Sequence, residues 1–164
     1  MLFRSVKLIG SGLGASFNLP GIGASIRGGQ LMHQVLLKIQ PILTRNNVHT
    51  IDTSPISRGD AIGLAVSSEP GTVHVDIAKI INSIQKQALP AVTQLDGTKL
   101  DNDVKNNIVN KISDEISKQL AATAAHESKH MIDYFKSFPK GKFESPESGA
   151  EAFGEAIAKQ FYGN

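Results

Sequence analysis

One pattern limits this chain more than any other. Val104, Ile108, Ile112, Ile116 and Leu120 recur every four residues, and the apolar rhythm continues through Ala124, Met131, Ile132, Phe135 and Phe138. A four-residue period is the mark of a helix with one apolar stripe, and here it covers about 36 residues. Asp101 is placed to cap its start, and Phe138-Pro139-Lys140-Gly141 ends it. So long a run predicts a kink or break near Leu120 to Thr123. With 164 residues in all, the chain has room for one domain built around this element.

The segments before it read as mixed α and β. Leu31, Val35, Ile39 and Leu43 have helical spacing from Gln30 to Leu43, with Pro41 limiting or kinking the end. Three short strands are predicted over Val48 to Thr53, Ala61 to Ser67 and Thr72 to Ile77. Glu69-Pro70-Gly71 between the last two predicts a hairpin. A helix follows from Ala78 to Leu89, stopped before Pro90, and a turn at Asp96-Gly97 leads into the long helix. After it, Ser145 with Pro146 can open a last helix that runs to about Phe161, with Gly163 as its stop. The expected fold is α+β, a short three-stranded sheet with a hairpin packed on the long helix and the C-terminal helix.

Residues 1–29 stand apart in composition. They hold seven of the fifteen glycines, and residues 1–51 contain five Lys and Arg with no acid, leaving net −3 for the rest. Each glycine costs about 1 kcal/mol in a helix relative to alanine, so an irregular basic arm is expected, followed by a domain over 30–164. Several roles suit such an arm: an organellar targeting segment, an assembly element of the kind used in a virion, a tail packed on the domain or a neighbouring subunit, or contact with a protein or an anionic membrane surface. The continuous apolar core and small-residue cleavage site of a secretory signal are missing. No apolar run approaches the roughly 18–20 residues of a membrane-spanning helix, so the body reads as soluble. Basic residues do not cluster with aromatics, which argues against nucleic-acid binding.

The chain has no cysteine, so a disulfide scaffold, a thiolate zinc site and a thiol nucleophile are all excluded. Any strong metal site must use His, Asp or Glu. His126-Glu127-Ser128-Lys129-His130 is an HExxH motif within the long helix. The two histidines are about 40° apart around the helix axis, so both imidazoles leave one face and can grip one ion. Glu127 lies about 100° round, within reach of a metal-bound water. The apolar residues centre nearly opposite, which lets the helix bury one side and show the other to a cleft. A catalytic zinc usually takes three protein ligands. Glu147, Glu151 and Glu155 form a stripe on the last helix, and three like charges in a row need a positive neighbour.

At these residues the chain resembles the gluzincin branch of the zincin metallopeptidases, in a minimal single-domain form. In that family HExxH is followed about twenty residues later by a helix whose glutamate is the third zinc ligand. Glu151 follows His130 by 21 residues, and Gly149-Ala150-Glu151-Ala152-Phe153-Gly154-Glu155 is similar to the family's Glu-Ala-x-x-acid segment. The resemblance implies one zinc ion on His126, His130 and Glu151, Glu127 as general base, and Glu155 orienting the ring of His126. It further implies hydrolysis of a peptide or protein substrate laid along an edge strand between residues 61 and 77. Tyr134 or His74 would donate to the oxyanion. Thr123, Ala124, Ser128, Met131 and Ile132 suit the longer family pattern, while the charge of Lys129 departs from it. The alternative from another class is a non-catalytic assembly or surface-contact protein with a structural zinc site.

Two further motifs carry little. Val6 to Ala15 has the GxGxxG/A shape, but no acid follows before Asp52, so a dinucleotide site lacks its ribose partner. Arg58-Gly59-Asp60 arises easily in a loop of turn residues.

Overall fold

A computed structural model describes residues 5–92, 95–137 and 147–163, without the side chains at positions 89, 92, 134–137 and 148. The fold is α+β. Strand β1 (Lys7–Ile9) is followed by a 3₁₀ turn and a hairpin of β2 (Ser16–Leu19) and β3 (Ala24–Arg27). Then come α1 (Gly28–Arg45), β4 (Thr50–Asp52), β5 (Gly63–Ala65), β6 (Thr72–Val75), α2 (Ile77–Val92), α3 (Asn102–Ser137) and α4 (Glu147–Tyr162).

The main sheet has four strands in the order β1-β4-β6-β5, not three. β4 pairs in parallel with both β1 and β6, while β5 runs antiparallel to β6 and forms an edge. The expected hairpin is therefore present as β5 and β6. The additional strand comes from the glycine-rich segment, which does not stand off as an arm. Val6, Phe17, Leu19 and Ile26 are 0–5% exposed and belong to the same hydrophobic core as α1, α2 and α3. The packing does not divide after Gly29. Glycine here permits close approach, not irregularity: a Cβ on Gly12 would collide with the carbonyl oxygen of Thr53.

α3 packs against α1, α2, α4, β3, β5 and β6. The predicted break at Leu120 to Thr123 does not occur, since α3 is continuous over 36 residues. Leu120, Ala121, Ala124 and Ala125 are fully buried there, and three small side chains let neighbours close on several sides of an unbroken helix. Asp101 caps α3 as expected, its Oδ1 accepting from the Val104 amide at 2.9 Å. Pro41 and Pro90 lie inside α1 and α2, which run on to Arg45 and Val92, past the predicted ends at Leu43 and Leu89. Each removes one late hydrogen bond, and the apolar faces of these helices carry them past it. Gly163 has φ +73° and ends α4. The predicted caps at Ser145 and Pro146, the Phe138 to Gly141 terminator and the Phe135 side chain fall outside the described parts.

Candidate metal centre

Two structural decisions create the site. The antiparallel edge strand β5 crosses α3 beside the HExxH turn, and α4 crosses the same turn from another side. Both crossings are made at glycine. A Cβ on Gly63 would lie 2.5 Å from Glu127 Oε2 and 2.7 Å from Thr123 Cγ2. A Cβ on Gly154 would lie 2.5 Å from the Ala122 carbonyl oxygen and 3.2 Å from His126 Cβ. A larger residue at Gly154 must push α4 off the α3 backbone, and one at Gly63 must displace the Glu127 and Thr123 side chains.

His126 and His130 leave one face of α3 as their spacing predicts, and their Nε2 atoms are 3.2 Å apart. Glu147, in the first turn of α4, spans the pair, with Oε1 2.7 Å from His126 Nε2 and Oε2 2.9 Å from His130 Nε2. Two nitrogens and two carboxylate oxygens thus converge on one point. The Glu127 side chain is only 9% exposed, and its Oε2 lies 3.9 Å from His126 Nε2. Burial, with the nearby Glu147 charge as the second cause, pushes its carboxyl up to about 8. Beneath the motif, Ser128 is fully buried, donates to the Ala125 carbonyl at 2.7 Å and accepts from Asn46 Nδ2 at 3.1 Å. Lys129, the departure from the family pattern, turns aside to Asp133 at 3.0 Å.

The carboxylate that touches both imidazoles is therefore Glu147, one turn before the expected Glu151. Glu151 and Glu155 instead line the larger of the two cavities that meet at the site, about 980 Å³, together with His126 and Glu127. The second cavity, about 510 Å³, runs along Gly63 to Ser67 and reaches His130. The two share Gly63, His126, Glu127 and Glu147, so they form one cleft that passes through the site. His74 lines neither. It stands opposite Leu64 and Asp52 in the sheet, bound through Nε2 to Glu69 at 2.5 Å. A β-strand alternates its faces, and His74 is on the one that Val73 and Val75 do not share. The Tyr134 side chain falls outside the described residues.

Sequence reasoning had Glu147 in the acidic stripe but gave the ligand role to Glu151, because the resemblance counts residues from His130, whereas the position of α4 along α3 decides which turn meets the imidazoles. Gly63 and Gly154 were missed as site residues. A lone glycine inside a strand pattern or a helix pattern is the signal that could have found them.

The donor set fits zinc. Tetrahedral ligands at about 2.0–2.1 Å place two donor atoms about 3.3 Å apart, close to the spacing of the two imidazole nitrogens, and two His with one Glu is a recognised catalytic zinc set. The donor atoms of His126, Glu127 and His130 also lie within 4.8 Å of one another, close enough to hold an ion. Among the described residues no helix is long and apolar enough to cross a membrane. No family model, curated protein or solved structure matches the chain.

Proposed function

We propose that the chain is a zinc-dependent metalloendopeptidase of gluzincin type, with His126, His130 and Glu147 as ligands and Glu127 as general base. The observation that carries this reading is the convergence of both Nε2 atoms with the Glu147 carboxylate beside a buried glutamate, at the centre of a through-running cleft.

When bound there, zinc supplies Lewis acidity for a water and for the substrate carbonyl. The chain's own groups do the rest. The edge strand β5 offers backbone N–H and C=O groups to an extended peptide, which fixes the reacting carbonyl beside Glu127. Glu127 takes a proton from the attacking water and returns it to the leaving amine nitrogen. Burial raises its carboxyl to about 8 in the metal-free chain, so it becomes a base only once it ionises, which a positive charge held by the neighbouring ligands would favour.

The competing reading is a structural zinc site in a non-catalytic assembly protein. It is favoured by the 3.9 Å between Glu127 and His126, since a fourth protein donor would close the coordination shell.

Metal analysis and proteolysis of an unfolded casein substrate test the two together. The expected result is one zinc per chain in both native protein and Glu127→Gln, with casein cleavage only in the native protein. Glu147→Gln should weaken zinc binding by more than roughly a hundredfold, beyond the usual 10–100-fold effect of an indirect partner, and Glu151→Gln by less than about tenfold. A chain that holds no zinc, or a Glu127→Gln variant with unchanged proteolysis, overturns the peptidase. Zinc bound without proteolysis in either protein selects the structural site.

A further inference from the structure

We propose that a groove between α1 and α3, apart from the metal centre, binds a small zwitterion that carries an α-ammonium and an α-carboxylate, namely a di- or tripeptide. The groove encloses about 560 Å³ and shares no lining residue with the cleft. The inference is independent of the peptidase reading.

The observation that points to a ligand is Ser117. It is 5% exposed, yet among the described residues its hydroxyl has no hydrogen bond. The other two buried hydroxyls of α3 turn back on their own helix, Thr123 donating to the Gln119 carbonyl at 2.8 Å and Ser128 to the Ala125 carbonyl at 2.7 Å. Among the described residues no fully enclosed side-chain polar atom lacks a partner, so the Ser117 hydroxyl opens into the groove it lines. Buried polar groups are normally given partners by the fold, and one left facing a groove is completed by what enters there.

The charges of the groove define the rest of that molecule. Arg27 stands at the start of α1, which has neither a side-chain cap nor an acid in its first turn, so the positive end of an 18-residue helix adds to the guanidinium. Asp114 lines the same groove from α3. Among the described residues neither charge is ion-paired, with the other or with any third group. Opposite charges that line one groove without joining suit a molecule whose own two charges are reversed. An extended dipeptide sets its ends roughly 7 Å apart. Gln30, Gln34 and Asn110 supply amides that both donate and accept, as a peptide bond does.

The test is calorimetric titration of the full chain, as Glu127→Gln so that no probe is cleaved, with Ala-Leu, its N-acetyl and C-amide forms, and free leucine. Ala-Leu should bind about tenfold more tightly than either blocked form, and Ser117→Ala should weaken it about fivefold. The preference over the C-amide should vanish in Arg27→Gln, and the preference over the N-acetyl form in Asp114→Asn. Leucine binding as tightly as Ala-Leu, with the same dependence on all three residues, keeps the zwitterion and shortens it to an amino acid. The absence of binding at millimolar Ala-Leu overturns the proposal. Binding that all three substitutions leave unchanged also overturns it, and if Glu147→Gln abolishes that binding, the peptide occupies the cleft instead.

Discussion

Residues 5–27 and residues 123–130 are packed into the same molecule on opposite terms. The first segment is glycine-rich and chemically plain, and it sends Val6, Phe17, Leu19 and Ile26 into the core at 0–5% exposure. The second is a regular helical turn that encloses an ionisable carboxyl at Glu127 and sets two imidazoles side by side. The difference separates stability from chemistry. Burying a large apolar side chain contributes about 1.5–3 kcal/mol, whereas a carboxyl taken from water without a partner costs free energy. The segment that resembles an appendage in composition holds the fold, and the HExxH segment of α3 carries its electrostatic cost.

The largest effect that can break this comparison is Phe17→Ala. Phe17 is fully buried in the core, so its truncation should destabilise the chain by about 3–5 kcal/mol in urea unfolding while leaving zinc stoichiometry in the surviving folded fraction unchanged. A loss below about 1 kcal/mol, within the range of surface substitutions, would return residues 5–27 to the status of a detachable arm.

A smaller effect, of opposite sign, belongs to Glu127. Its folded carboxyl lies near 8 against an ordinary 4.5, so between those values the folded chain holds a proton that the unfolded chain has lost. The contribution of this one group to stability is then greatest below pH 4.5, falls as pH rises through the window, and levels off above 8. Glu127→Gln has no such proton to lose. In metal-free protein kept in chelator, it should gain stability over the native chain progressively from pH 5 to 8, by roughly 3–4 kcal/mol at the upper end. A native chain whose stability rises over that interval while the variant's stays flat would show that Glu127 is ionised and partnered in the folded state.

What the sequence disclosed divides along the same line. The i, i+4 geometry of His126 and His130 is local, and so are the Asp101 cap and the Gly163 stop, which is why periodicity and residue type found them. The β5–β6 hairpin was legible because its turn chemistry lies between its strands. β1 was not, since Lys7–Ile9 acquires its identity from Thr50–Asp52, some forty residues away in the chain. Three residues among glycines have too little pattern of their own to announce a strand. Nor could residue counting choose Glu147 over Glu151, because residues four apart occupy nearly the same face of α4 and only the translation of that helix along α3 separates them.

The smallest effect concerns the loop that delivers β5 to the site. Lys79, in the first turn of α2, points its Nζ at the carbonyl oxygens of Ile56, Gly59 and Ala61, at 2.5, 2.9 and 3.1 Å. Asp76, almost wholly buried, holds the same loop from beside it, accepting from the Ile56 amide at 2.8 Å and from the Lys79 amide at 3.0 Å. One ammonium thus satisfies three carbonyls of a segment without secondary structure and fixes where Gly63 meets Glu127. Lys79→Met keeps the stem and removes the charge. Three weakened carbonyls at a partly exposed position should cost about 1–2 kcal/mol of global stability. The more specific consequence is local: amide exchange should accelerate over residues 56–65 and remain native in α3. Uniform acceleration across the chain would make Lys79 a general stabiliser. Acceleration confined to the loop and β5 ties the edge strand's position beside the candidate metal centre to a side chain on α2.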